Sequence, residues 1–528
     1  MASKTYNWDS VLVAALPRDS SLMDVARSQQ VVDRLLAVAG PVPDCQVCPP
    51  EFDSAQAFNA DWAWMERNTL LRSDQMLQLQ RIRDQREPWE NRYIQTWLPS
   101  NYWNLDQFVM DSSYDSTEYF DYRHRLLTLF HYWNVIQYFF PYRHRANPDW
   151  DQTLLAGVTR FIAAASKYDF HLAMTWVANQ INDSHANASG SRYIAESWFG
   201  TYMLPFRLRL IQDSQVVVSE IWVDSLMQGR DIQLGDQVIE VDGRDVWEVI
   251  RDDSAYIAAS NEWRRLFFSL SYLSADTQKE AMLTMVREDS AFEAKIKRIS
   301  TSASISAPAL EPWAWLDEKD ASGILRANLG SFHSNGEARR FLRNARKARA
   351  VILDARDMAL PDMPLMQKIA NEFSPPEVSF LYRDTLFASY FLSSYEYPGY
   401  LTTYDPDPRL NDKRNQMQAP YYRRPVVLIV GPKLQSKAEK VVMYLQTNPN
   451  SYTIGEPTSG ALGAVGKILM PGGFYAAFTQ HGMTYADGTP IFGRGVKLNE
   501  TVLPTQVDIQ AGRDPVLERA IEYLNEQP

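Results

Sequence analysis

Residues 427–445 read VLIVGPKLQSKAEKVVMYL. An apolar run stops at Gly431-Pro432, and a helical pattern starts at about Ser436. A short apolar run closed by turn residues reads as a buried strand, so this stretch passes from a strand through a tight turn into a helix. Two readings of Ser436 compete. With Glu439 it fits the S-x-x-E capping box, in which hydroxyl and carboxylate satisfy orphan backbone N–H groups. A serine at a helix N-terminus also has the positive end of the helix dipole beside it, which favours a nearby oxyanion.

Working outward, the strand–helix unit repeats. SGILRANLG precedes the helical GEARRFLRNARKA, AVILDARD precedes MPLMQKIANEF, and SYTIGEP follows the Ser436 helix, with a β-rich tail beyond. A polar, Tyr/Pro-rich insertion separates two of these units over about 378–424. Such alternation predicts a largely parallel sheet with helices on its faces, an α/β core over residues 303–528. Residues 199–302 carry a period of two, as in FRLRLI, SQVVVSEIW and DQVIEVDG. The segment VDSLMQGRDIQLGDQVIEVDGRDVWEVI resembles the second half of a PDZ domain, with Gly235-Asp236 and Asp242-Gly243 as turn residues, the latter a type I′ hairpin signal. On that resemblance Leu204, Pro205 and Phe206 form the carboxylate loop and groove-edge strand. Residues 116–198 read as helical, ending at INDSHANASG, and residues 1–115 as mixed helix and loop. The fold class is thus a multidomain α/β (α+β) protein with an N-terminal helical region and an inserted PDZ-like β domain.

Composition narrows the function classes. The chain has 528 residues, 45% apolar and 22% charged, with net charge −11, so a sizeable core is available. The acidic balance and lack of a Lys/Arg block argue against nucleic-acid binding. No stretch approaches the ~18 uninterrupted apolar residues that span a bilayer. The N-terminal apolar run VLVAAL is too short for a signal peptide core, so the chain is either cytosolic or exported with a signal that this sequence does not carry. Cys45 and Cys48 lack the further ligands a zinc site needs; a small local disulfide or two free thiols are the remaining readings. No metal or organic cofactor is implied.

Nucleophilic serine chemistry needs a hydroxyl, a base within hydrogen-bond reach, and N–H donors for the oxyanion. No G-x-S-x-G is present, so an α/β-hydrolase elbow is unsupported. For Ser436, the Lys437 N–H is the natural oxyanion donor. Among seven histidines, His124, His131 and His144 lie in the aromatic helical region, His171 opens a helix, His333 sits in a loop and His481 in a hairpin. His185 differs: it follows Asp183 and Ser184 where an amphipathic helix breaks, a place suited to projecting a side chain into a cleft. A histidine there also suits a plain contact with the helix dipole.

Over about residues 120–510 the chain resembles the C-terminal processing (tail-specific) serine peptidases, and within them the tricorn-core-like branch. The resemblance rests on INDSHA, VILDARD, IVGPKLQSKAE, IGEPTSGALG and YADGTPIFGRGVKLNETVLPT, in that order. It implies a crotonase/ClpP-like catalytic core, a protein or peptide substrate and a periplasmic or secreted setting. It makes Ser436 the nucleophile, His185 the general base and Ser184 its assistant. The lysine base of the bacterial processing branch would fall at Ala461, so a Ser/Lys dyad is not expected. Three positions depart from the family pattern: Phe492 stands where an acid is expected, Leu360-Pro361 replaces Gly-Gly, and Leu498-Asn499 replaces Pro-Asp. Proline has no N–H, which leaves Leu360 as the second oxyanion donor. The expectation is a serine endopeptidase; the alternative is a weakened or inactive relative acting as a peptide-binding scaffold.

Overall fold

A computed structural model of the chain describes residues 7–17, 24–44, 64–85, 94–97, 105–108, 121–146, 149–186, 188–189, 194, 200–211, 215–222, 232–301, 318–319, 322–358, 362–375, 380–385, 401–405, 421–470, 474–480, 482–485 and 487–527. The Cys45/Cys48 pair, Leu360-Pro361, His481 and most of the 378–424 insertion lie outside the described residues. Among the described residues no helix is long and apolar enough to cross a membrane. The chain divides into two compact units, residues 1–191, 384–402 and 463–482 forming one, and residues 192–383, 403–462 and 483–528 the other.

In the first unit the aromatic-rich segment forms the helices Tyr122–Phe139, Trp150–Ala163 and Lys167–Asn179. Aromatic faces hold them together. Trp133 stacks on Trp150 at 6.5 Å, and each indole N–H donates to the other residue's carbonyl, at 2.9 and 3.2 Å. Ser166 and Asp169 cap the last helix reciprocally. Its far end turns at Asn182, whose φ of +48° suits the short polar side chain of asparagine. The same unit contains a hairpin, Val465–Met470 with Phe474–Thr479, flanked by Leu105–Phe108 and Ala188–Ser189. This hairpin was expected within the 303–528 core, and the chain instead gathers it with the helical segment. Phe478 anchors it: its ring lies 5.8 Å from Phe108 and 6.3 Å from Phe140.

The second unit contains the α/β core. Its six-stranded sheet runs in the order Glu318–Lys319, Ile324–Asn328, Ala350–Asp354, Val426–Val430, Ser451–Gly455, Glu500–Thr501, parallel except at the first pair. Val426–Val430 is central and buried throughout, as its unbroken apolar run requires. The helices Asn335–Ala345, Met363–Phe373 and Lys437–Leu445 alternate with these strands, and the Pro515–Glu526 helix covers Ile352, Val427 and Ile454. The tail differs from the β-rich expectation: it closes in two helices, Gln506–Gln510 and Pro515–Glu526. Thr505 and Asp514 cap them, and Pro515 sits at the helix start, where it loses no needed donor.

Also in this unit, residues read with a period of two form an antiparallel sheet ordered Ser290–Lys297, Glu280–Arg287, Gln237–Val241, Val216–Ile221, Phe206–Leu210. The helices Val246–Asp253 and Glu262–Leu273 pack on it around Phe206, Val218, Leu283 and Met285. Asp242 and Gly243 both take positive φ, +52° and +75°, as the type I′ turn read from their sequence demands.

Candidate active site

Ser436 lies where the turn after Val426–Val430 meets the Lys437–Leu445 helix. Its φ and ψ are +56° and −121°, a region that an L-residue occupies at a cost of roughly 1–3 kcal/mol. What holds it there is Glu439. The carboxylate accepts from the Ser436 N–H at 3.2 Å, which is the acidic half of the expected capping box. It also accepts from the Thr458 hydroxyl at 2.6 Å and from the N–H groups of Gly460 and Ala461 at 2.7 and 3.0 Å. Glu439 is fully buried, and burial pushes its carboxyl above the usual carboxylate range while these four donors pull the other way. The S-x-x-E signal therefore reported a cap and understated it. The same carboxylate ties the head of the helix to the loop after Ser451–Gly455.

That loop is knit tightly. Thr458 Oγ1 accepts from the Val496 N–H at 3.0 Å, and the Gly493 N–H donates to the Gly460 carbonyl at 2.8 Å. Gly460 has φ +64°, and a Cβ there would meet the Arg494 nitrogen at 2.9 Å, so glycine is required on both counts. Ala461, at the position of the processing-branch lysine, is completely buried. Phe492, where an acid was looked for, is a fully buried core side chain. Lys437 exposes its side chain, and its N–H belongs to the first helical turn, whose donors have no intrahelical acceptor.

The turn before Ser436 is gripped by Arg264 of the Glu262–Leu273 helix. Its guanidinium donates to the Pro432 carbonyl and to Gln435 Oε1, both at 2.7 Å, and lies 4.0 Å from the centre of the Phe268 ring. Burial brings its pKa down to about 10. One turn away, the Asn261 amide donates to the Thr458 carbonyl at 2.8 Å.

His185 belongs to the other unit and follows the turn that ends Lys167–Asn179. Asp183 is fully buried: it accepts from the His185 N–H at 3.0 Å, from the Thr479 N–H at 2.5 Å and from the Thr479 hydroxyl at 2.9 Å. The same hydroxyl lies 2.9 Å from His185 Nδ1, whereas the carboxylate itself is 3.8 Å from that nitrogen. Ser184, between them, is buried. The structure thus brings His185, Asp183 and Thr479 together in one unit, and Ser436, Glu439 and Thr458 in the other.

Sequence reasoning named His185, Ser184 and Ser436 but missed Thr479, Thr458 and Arg264. Thr458 lies inside the quoted IGEPTSGALG motif, whereas no local signal marks Thr479 or Arg264, which act on residues far off in the chain. Asp183 was visible as the residue two before the histidine, a spacing that lets a carboxylate accept the backbone N–H two residues on.

Leu204 and Phe206 send their side chains into the core of the antiparallel domain, and the Leu204 N–H donates to the Ser274 carbonyl at 2.9 Å. Phe206 also lines a cleft of about 610 Å³, with Leu208, Trp263, Leu266, Phe267 and Leu270 among its walls.

Residues 323–502 match the model of peptidase family S41, and the chain carries a domain of that family. A structure of mature CPAF complexed with lactacystin aligns over 77% of this chain and 97% of its own, at 15% identity and a TM-score of 0.55. A second structure of mature CPAF aligns over 77% and 96%, at 14% identity and the same TM-score of 0.55. The crystal structure of the tricorn protease aligns more loosely, over 76% and 36% at 13% identity and a TM-score of 0.37, and carries no weight. At these identities the CPAF likeness establishes the fold. A search of curated proteins found no match.

Proposed function

We propose that the chain is a serine endopeptidase that hydrolyses peptide bonds in C-terminal or unfolded protein segments through an acyl-enzyme. The observation that carries this reading is the backbone of Ser436: a non-glycine residue at φ +56°, at the head of a helix, pinned by a carboxylate with no solvent contact. A strained junction of this kind is what presents a nucleophile, and a domain of a peptidase family surrounds it.

In the proposed reaction His185 takes the proton from Ser436 Oγ as the oxygen attacks the carbonyl carbon. The Lys437 N–H stabilises the oxyanion, with the Leu360 N–H as second donor. Collapse expels the amine, which leaves with the proton from His185. Water, deprotonated by the same imidazole, then hydrolyses the ester. A positioned base contributes roughly 10²–10⁴-fold and one oxyanion donor roughly 10²–10³-fold. Ser184 supports the base. The antiparallel domain acts as a PDZ-like module: a substrate chain adds to the edge strand Phe206–Leu210 and lays side chains into the cleft beside Leu266 and Leu270.

A fluorophosphonate probe tests the reading. The expected result is labelling at Ser436 that both Ser436→Ala and His185→Ala abolish. No labelling of the intact protein, together with micromolar peptide binding, overturns it in favour of a peptide-binding scaffold.

A further inference from the structure

The Thr479 hydroxyl stands between a histidine and a buried carboxylate, and it has one proton to give. It lies 2.9 Å from Asp183 Oδ1 and 2.9 Å from His185 Nδ1. Two backbone N–H groups, of His185 and Thr479, donate to Asp183, and a carboxylate so held only accepts from the hydroxyl beside it. The hydroxyl proton therefore goes to Asp183, and the lone pair left on Thr479 Oγ1 requires a proton on His185 Nδ1. Nε2 is then the unprotonated ring nitrogen, the one that takes a proton in general-base chemistry.

We infer that Thr479 and Asp183 are positioning residues that fix His185 in the Nδ1–H tautomer, the threonine relaying the carboxylate's acceptor capacity across a gap too long for a direct hydrogen bond. The direct Nδ1–Asp183 separation of 3.8 Å is outside hydrogen-bond range. The relay is rigid at both ends. Thr479 closes the Phe474–Thr479 strand, fixed through Phe478 against Phe108 and Phe140, and Asp183 holds the Thr479 backbone as well as its side chain. This arrangement also answers the acid that Phe492 does not supply: the orienting carboxylate enters from the histidine's own turn.

The inference rests on the proposed role of His185 for its consequence, but its geometry is testable without any substrate. In the full chain labelled with ¹⁵N in its histidine rings, His185→Ala assigns the signal. The expected result is Nδ1–H for His185 at a pH where the ring is neutral. Thr479→Val, close in shape but without the hydroxyl, should shift the ring to the Nε2–H tautomer, and Thr479→Ser should restore Nδ1–H. In the labelling assay Thr479→Val should slow probe reaction about 10²-fold, by losing part of the base's contribution, and Thr479→Ser should recover most of it. An Nε2–H tautomer in the unaltered protein, or a tautomer indifferent to Thr479→Val, overturns the inference. Absent labelling with the Nδ1–H tautomer intact would instead overturn the peptidase reading and leave the relay standing.

Discussion

The Glu439 carboxylate accepts the Thr458 hydroxyl at 2.6 Å, and both residues are wholly buried. Thr458 in turn accepts the Val496 N–H. One carboxylate thus joins the head of the Lys437–Leu445 helix, the 458–461 turn and the 493–496 loop. A buried group so heavily bonded is costly to remove, because each donor left without an acceptor keeps its desolvation penalty of about 1–3 kcal/mol.

Glu439→Ala should therefore destabilise the protein by more than about 3 kcal/mol, with Thr458→Val costing less because it leaves one donor, the Val496 N–H, without an acceptor where Glu439→Ala leaves four. Urea unfolding of the two variants against the unaltered chain checks the order. Equal midpoints for Glu439→Ala and the unaltered chain would refute the account.

Ser436→Gly and Ser436→Ala both remove the hydroxyl, yet they should differ in stability. At φ +56° alanine keeps the strain and glycine relieves it. The glycine variant is expected to be more stable than the alanine variant by about 1 kcal/mol. Thermal melts of the pair measure the difference.

His131 is half-buried on the Tyr122–Phe139 helix, and its buried Nε2 has no hydrogen-bond partner among the described residues. Burial lowers its pKa from 6.5 to about 4. The folded state thus binds the proton less readily than the unfolded state. Its contribution to stability is complete above pH 6.5 and is lost as the pH falls towards about 4. His131→Phe should flatten the decline in urea midpoint between pH 7 and about pH 5; an unchanged slope would show that this histidine does not set it.

Arg264 holds the Pro432 carbonyl and Gln435, just ahead of Ser436. Arg264→Lys cannot reproduce two divergent bonds from a planar fork. It should slow labelling of Ser436 by about tenfold, the rate equivalent of roughly 1.4 kcal/mol, while far-ultraviolet circular dichroism stays unchanged. Labelling at the original rate would assign Arg264 to packing against Phe268 alone.

Much of the core was legible in the sequence because its signals are local. The apolar run at 426–430, Gly431-Pro432 and S-x-x-E fixed a strand, a turn and a helix start within twenty residues, and each is where its chemistry places it. Asp242-Gly243 likewise announced its turn through backbone conformation alone. The tail carries strands as far as Thr501, but its two closing helices are absent from the sequence reading, although Thr505 and Asp514 cap them.

The sequence by itself determined which elements form and which serine begins a helix, because capping, periodicity and turn preference act over a few residues. Only the tertiary structure decided that Thr479 meets His185 across 294 positions, and that Glu439 serves Thr458 and Gly460 as well as its own helix. A buried carboxylate takes whatever donors packing brings within about 3 Å, and that choice is made by the burial of Phe478, Phe108 and Phe140 in one unit and by the parallel sheet in the other.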